Sequence, residues 1–288
     1  MWILFAFGSA LFAGLTAVLA KIGIQDTDSH LATAIRTVVV LIFAWGMVFL
    51  TGAQSGLSGL DTNSLLFLVL SGLATGASWL CYFRALQIGD VNKVAPVDKS
   101  STLLTMIMAF FILGEPLSPA KIGCMVLIFA GTLLMITPKA TEKTTAQSGY
   151  AWLIYALLSA LFAALTSILG KIGISGIDSN LGTAIRTIVV LIMAWAMVFI
   201  TGKQSQITQI RPKSWIFLCI SGVATGASWL CYYRALQEGP ASVVMPIDKL
   251  SILITIAFSW LVLKEKLSSK ALAGLVLLTA GTLLLLYV

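Results

Sequence analysis

Charge is what this chain has least of. Asp, Glu, Lys and Arg make up only 10% of its 288 residues, against 59% hydrophobic residues, whereas soluble chains run near a quarter charged. That balance excludes a soluble globular domain and points to an all-α membrane protein with repeated apolar spans. Histidine is almost missing. The single His30 reads as a loop residue, so no Ser/His/acid set and no metal cluster can be assembled. No Gly-rich phosphate loop of the Walker kind occurs either, which leaves no basis for ATP-driven transport, and no acid/base or nucleophile set speaks for an enzyme. No cofactor or metal is expected. Cysteine is confined to Cys81, Cys124, Cys219 and Cys231, all inside apolar stretches and without ligand spacing, so all four read as packing residues. No basic residue precedes the first apolar stretch, Trp2–Ala20, and that stretch recurs as Trp152–Gly170. Both facts favour a first transmembrane helix over a cleaved signal peptide.

What is present is a long repeat. Shifted by 150 residues, the chain matches itself without a gap: Ser9-Ala10-Leu11-Phe12 meets Ser159-Ala160-Leu161-Phe162, and Thr75 to Tyr82 returns as Thr225 to Tyr232. Roughly half of the paired positions are identical, the mark of a duplicated unit. The first unit covers 1–137, a polar linker 138–149, and the second unit 150–288. Five apolar spans fit each unit: about Trp2–Ala20, Leu31–Leu50, Leu65–Arg84, Val94–Leu113 and Lys121–Ile136, then Trp152–Gly170, Leu181–Ile200, Trp215–Arg234, Val243–Leu263 and Lys270–Tyr287. Five is odd, so the second unit must run opposite to the first. The expected architecture is ten transmembrane helices as two inverted five-helix repeats, a recurrent plan of secondary transporters whose site lies between the repeats near mid-membrane.

The net charge of +7 belongs on this reading to loops facing a negative membrane surface, with no nucleic-acid partner implied. Charges that recur in both units fall on opposite sides and cancel. Among the rest, Lys93, Lys139, Lys143, Lys203, Arg211, Lys213, Lys264, Lys266 and Lys270 share one side and Lys121 takes the other. The positive-inside rule then places the linker in the cytoplasm and both termini outside, in a multi-pass protein of the plasma membrane.

Charges within spans are the sharpest candidates for function. Arg36, Asp98 and Lys99 fall on one side and their partners Arg186, Asp248 and Lys249 on the other, and a charge in a span seeks protein or a water-filled cavity. The functional reading is two ionic gates, Arg36–Asp98 and Arg186–Asp248, that open in turn, with the aspartates as proton-binding groups. The bland reading is snorkelling to the headgroups, which suits Lys21, Lys171, Arg84 and Arg234 better. Pro96 and Pro246, just ahead of the aspartates, suggest a kink that frees carbonyls for hydroxyls such as those of Ser100, Ser101 and Thr102. The third spans diverge least. Their Thr75, Ser78, Trp79 and Tyr82, with Thr225, Ser228, Trp229 and Tyr232, are candidates to line a cavity, while Gly72 and Gly76 suit close helix packing. Glu115 and Glu265 mark the fourth-to-fifth connections, where the dipole of the following helix accounts for an acid.

Arg84-Ala85-Leu86-Gln87, Val94-Ala95-Pro96-Val97, Leu113-Gly114-Glu115-Pro116-Leu117-Ser118 and Ala130-Gly131-Thr132 together resemble the EamA-type repeat of the drug/metabolite transporter superfamily. Arg234-Ala235-Leu236-Gln237, Lys264-Glu265-Lys266-Leu267-Ser268 and Ala280-Gly281-Thr282 carry the second copy. The resemblance implies a carrier of small organic solutes working by alternating access, with a cavity between helices 1–4 and 6–9. It also implies cytoplasmic termini, opposite to the charge count. The small multidrug exporters of the superfamily carry a glutamate in their first helix, and Trp2–Ala20 has none, so their proton chemistry does not transfer. The expected function is a secondary transporter that exports a small metabolite, an amino acid or another carboxylate-bearing solute, as a monomer or weak homodimer in the lipid bilayer. A broad-specificity drug exporter and a non-transporting assembly or lipid-handling subunit are the alternatives.

Overall fold

The computed structural model describes residues 1–23, 27–88, 94, 97–135, 150–261 and 268–288. The linker 138–149, Pro96 and Glu265 lie outside them, as does the side chain of Lys21. Among the described residues every regular element is helical. The first half supplies α1 (Trp2–Gly23), α2 (Ser29–Leu50), α3 (Thr62–Ile88), α4 (Ser101–Leu113) and α5 (Pro119–Met135). The second supplies α6 (Ala151–Gly173), α7 (Ser179–Ile200), α8 (Pro212–Glu238), α9 (Ala241–Lys249), α10 (Ser251–Leu261) and α11 (Ser269–Leu284). Seven described stretches are long and apolar enough to cross a bilayer, the last of them Ala241–Phe258, and Pro119–Met135 and Ser269–Leu284 are shorter apolar helices.

Local chemistry repeats with the sequence. Asp28 and Asp178 cap α2 and α7: each carboxylate accepts from two first-turn amides, at 2.9 and 3.3 Å for Asp28 and at 2.8 and 3.3 Å for Asp178. His30 thus sits in the first turn of α2, not in a loop, with its ring edge against Phe83 at 4.4 Å between centroids. The anticipated kink near the prolines takes the form of a single tight turn four residues later. The Ser100 amide donates to the Val97 carbonyl at 3.1 Å and the Leu250 amide to that of Ile247 at 2.9 Å, the shorter pitch of a 3₁₀ turn. The Ser100 hydroxyl also takes the Val97 carbonyl, at 2.5 Å. Leu250, with no hydroxyl, cannot do the same.

Packing crosses between the halves. α1 lies along α8 and α3 along α6, and a shift of 150 residues exchanges these two pairs; α2 meets α7, and α5 meets α11. Glycines set the separations. A Cβ on Gly72 would stand 2.7 Å from Val189 and one on Gly222 2.7 Å from Val39, so α3 seats on α7 as α8 seats on α2. At the α5–α11 crossing, backbone meets backbone: a Cβ on Gly131 would stand 2.5 Å from the Leu278 amide. The outward faces stay apolar and exposed, as at Leu11, Ile42, Phe111, Ile192 and Val276, which suits helices bounded by lipid.

Candidate functional site

Four spans from each half converge on one cavity of about 460 Å³. All fourteen residues singled out from the sequence border it: Thr75, Ser78, Trp79, Tyr82, Arg36, Asp98 and Lys99 from the first half, and Thr225, Ser228, Trp229, Tyr232, Arg186, Asp248 and Lys249 from the second. The charges therefore surround a single space.

The pairing within that space differs from the Arg–Asp gates the spacing suggested. Arg36 donates to the Thr225 hydroxyl at 2.9 Å, and Arg186 to Thr75 at 2.8 Å and to Ser71 at 3.3 Å. Each aspartate takes a serine from the first span of the other half: Ser159 donates to Asp98 at 2.8 Å and Ser9 to Asp248 at 2.6 Å. Those serines are held in turn, since the Ser78 hydroxyl donates to the Ser159 carbonyl at 3.0 Å and that of Ser228 to the Ser9 carbonyl at 3.1 Å. Apart from the Arg186–Ser71 contact, each of these bonds has its counterpart under the 150-residue shift. The helices explain why. Ser9 and Thr16, like Ser159 and Thr166, are seven residues apart, two turns along one face, and that face is the one turned to the partner helix.

No acid pairs with either arginine among the described residues. Arg186 is 2% exposed, and its guanidinium lies 5.1 Å from the Trp229 ring centroid and 4.6 Å from that of Tyr233. Hydroxyls and ring faces orient a guanidinium and offset part of its desolvation, but they carry no net charge. The Arg36 Nε is buried and has no hydrogen-bond partner among the described residues. Arg36 also borders a second, smaller cavity of about 240 Å³ with Thr33, Thr37, Val40 and Phe83. Of the equivalents around Arg186, Thr183 is fully buried where Thr33 is partly open, while Thr187 and Val190 are as buried as Thr37 and Val40. The two halves share one set of bonds and differ in how open they are.

The end near Arg186 is held by a junction that the sequence did not reveal. Gly114 ends α4 at φ 67°, and Glu115 follows it. Its carboxylate accepts the Ala241 amide at 2.6 Å, the Ser242 amide at 2.9 Å and the Lys171 ammonium at 3.1 Å, and Lys171 also donates to the Gly239 carbonyl at 2.6 Å. Glu115 does serve a helix N-terminus, as its type suggested, but it is that of α9 in the other half and not that of the α5 which follows it. Lys171 is correspondingly bound within the protein instead of reaching for headgroups. Burial by itself raises the Glu115 carboxyl. The Ser242 amide, the Lys171 ammonium and the Ala241 amide outweigh that and hold it below its ordinary 4.5. Beside this junction Gln237 donates to the carbonyls of Ile174 at 2.9 Å and Ile177 at 2.5 Å, tying the α6–α7 connection to the end of α8. Arg234 pairs with Glu238 at 2.6 Å along its own helix, outside the cavity lining.

Sequence reasoning passed over Ser9, Thr16, Ser159 and Thr166, although the signal that flagged the third spans was there: polar residues kept in both copies of an apolar span. Ser167 and Tyr233, whose counterparts in the first repeat are Ala17 and Phe83, could not be found that way. The Ser167 hydroxyl lies 2.9 Å from that of Tyr232. No group of three metal-ligating side chains occurs among the described residues.

Comparison with known proteins gives the family. A curated relative from a Sinorhizobium species, described as an uncharacterized transporter in the cobO 3' region, is 47% identical over 134 residues, which is 46% of this chain and 95% of that one. Its length is thus about one repeat. An uncharacterized transporter of Archaeoglobus fulgidus is 22% identical over 99% of this chain and 97% of its own. A crystal structure with 16% identity overlays 98% of this chain and 95% of its own at a TM-score of 0.77, which speaks for the fold alone. The profile of the EamA-like transporter family matches residues 1–137 and again 150–287. Two matches that meet the duplication at both of its ends place the chain in one family: it belongs to the EamA-like transporters.

Proposed function

We propose that this protein is a secondary transporter that moves a small organic metabolite bearing a carboxylate, an amino acid or a similar solute, outward across the plasma membrane by alternating access. On this reading the two repeats are inverted five-helix units making ten spans, the 138–149 linker is cytoplasmic, and the working unit is a monomer or weak homodimer. The observation that carries the proposal is Arg186: a guanidinium 2% exposed, bordering a cavity between the two halves, with hydroxyls and rings as its partners and no acid among the described residues. A buried cation without a counter-charge is costly, and an anionic solute supplies that charge when it binds.

Alternating access draws support from the way like bonds coexist with unlike openness. Arg36 borders an additional cavity and Thr33 beside it is partly open, while Arg186 and Thr183 are buried. Asp98 and Asp248 are the candidate proton carriers. A drug-exporter reading fits less well, since a lining richer in cations than acids repels hydrophobic cations.

The test is a thermal-stability screen of purified protein against a metabolite library, followed by flux of each stabilising solute in proteoliposomes, because a ligand of the folded state raises apparent stability. Carboxylates should dominate the stabilising set and be transported. Stabilisation only by hydrophobic cations, or binding without any flux, would sink the proposal. The coupling role fails separately if Asp98→Asn and Asp248→Asn leave flux and its pH dependence unchanged.

A further inference from the structure

The lining of the central cavity is not electrically neutral. Among the described residues it holds four basic side chains, Arg36, Lys99, Arg186 and Lys249, against two acids, Asp98 and Asp248, an excess of two positive charges. The acids do not cancel the arginines by contact, because each is taken by a serine of the opposite half. The basic groups are also distributed evenly. One Arg and one Lys come from each repeat at matching positions, and each guanidinium is braced by a threonine of the other repeat, at 2.9 Å for Arg36 and 2.8 Å for Arg186. The result is two matched cationic stations in one space of about 460 Å³, within the roughly 300–1,000 Å³ typical of small-molecule sites.

Resting on the transporter reading above, we propose that the transported solute is a dicarboxylate: a short two-headed dianion that gives one carboxylate to Arg36 and the other to Arg186. Two negative charges match the excess, whereas a monocarboxylate leaves one positive charge and a zwitterionic amino acid leaves both. Arg forks suit carboxylates because two parallel N–H donors meet two oxygens, and the Arg36 Nε has no hydrogen-bond partner among the described residues. Trp79 and Trp229, which also border the cavity, offer apolar surface to the carbon chain between the heads. A phosphate monoester concentrates both charges on one head and reaches a single station. Because the stations are equivalent by sequence, a diacid with identical ends binds in either orientation.

The experiment uses the full-length protein in lipid nanodiscs. Thermal shift and calorimetry compare succinate, glutarate and adipate with their monomethyl esters, with alanine as a zwitterion and with glycerol 3-phosphate as a one-headed dianion. At least one diacid should bind tenfold or more tightly than its own monoester, and tighter than the other two probes. Arg36→Gln and Arg186→Gln should each erase the preference for diacid over ester. The comparison on unaltered protein decides the matter even if those variants fold poorly. A monoester binding as tightly as its diacid overturns the dicarboxylate while a carboxylate transporter stands, and so does binding of alanine without any diacid; binding of glycerol 3-phosphate alone overturns both. Stabilisation by hydrophobic cations alone, with no anion binding, overturns both proposals.

Discussion

Replacing Glu115 by Gln isolates the junction that holds the Arg186 end. Gln keeps the size and one acceptor oxygen but loses the charge that Lys171 faces at 3.1 Å, and its amide group turns N–H toward one of the two α9 amides now accepted at 2.6 and 2.9 Å. A hydrogen bond to a charged group contributes about 1.5–3 kcal/mol, and these contacts share one carboxylate, so they do not add. With the Glu115 side chain only 10% exposed, water replaces little of what is lost, and the expected loss is about 2–3 kcal/mol, or roughly thirty- to a hundred-and-fifty-fold in the opening equilibrium of this end. Hydrogen exchange of peptides covering 239–245 reads this directly, since the amides of Ala241 and Ser242 are the donors. Their exchange should quicken by that factor while α2, which packs on α7 and α8, keeps its protection. Unchanged exchange at 239–245 in a folded variant would show that Glu115 does not hold α9.

The same carboxylate sets a pH window. Its folded-state pKa lies below the ordinary 4.5, so its contribution is fully present above that value and is lost as pH falls through the lowered one. Corrected exchange at 241–242 should therefore stay flat at neutral and mildly acidic pH and rise only below 4.5, and Glu115→Gln should abolish that rise.

Gly131→Ala should lower the melting temperature, because its Cβ meets the Leu278 amide at 2.5 Å and the Gly274 carbonyl at 2.6 Å. Backbone cannot yield as a side chain does, and the expected loss is about 1–3 kcal/mol. Gly123→Ala on the same helix meets nothing within 4 Å and should be neutral or stabilising by up to about 1 kcal/mol. Ser9→Ala and Ser159→Ala each remove the hydroxyl that serves an aspartate, and each should lower stability by about 1.5–3 kcal/mol in denaturant titrations. Their effects should agree with each other and add in the double variant, as expected for separate sites; strong non-additivity would mean that the two aspartates form one coupled network.

How much of this was legible beforehand follows from where the information sits. The repeat carried the spans, because hydropathy is a property of single residues and duplication shows each span twice. It also carried the cavity-lining residues, because a polar group in an apolar span is expensive unless protein surrounds it. Partner choice was a different matter. Arg36 and Asp98 seemed natural mates within one repeat, yet each bonds to the other repeat, since α1 lies along α8 and α3 along α6. Nothing in a linear pattern says which helix a face will meet. Glu115 was misread for the same reason: the sequence shows a helix start after it at Pro119, whereas the start it serves, Ala241, is 126 residues away. The helix break was displaced too. Proline marked the region, but the tight turn falls at Ser100 and Leu250, after the charged pair.

One chain holding the same motif in two settings offers its own control. The Arg186 and Arg36 environments differ in one obvious residue, Tyr233 against Phe83, and in openness. If the tyrosine dictated the closed setting, the asymmetry would be fixed by sequence. A phenyl ring, however, offers a cation much the same face as a phenol does, so Tyr233→Phe should move stability by no more than about 1 kcal/mol. The openness then belongs to the conformation, and the two settings should exchange during transport. Thr33 and Thr183 report this cleanly: equivalent by repeat, each bonded at 2.7 Å to the carbonyl four residues earlier, yet Thr33 borders the smaller cavity while Thr183 is 0% exposed. With the four native cysteines replaced, Thr33→Cys should label fast with a thiol reagent and Thr183→Cys slowly in the resting protein. Transported solute should slow the first and quicken the second. Constant labelling at both sites under active flux would refute an exchange between equivalent halves, whatever the solute proves to be.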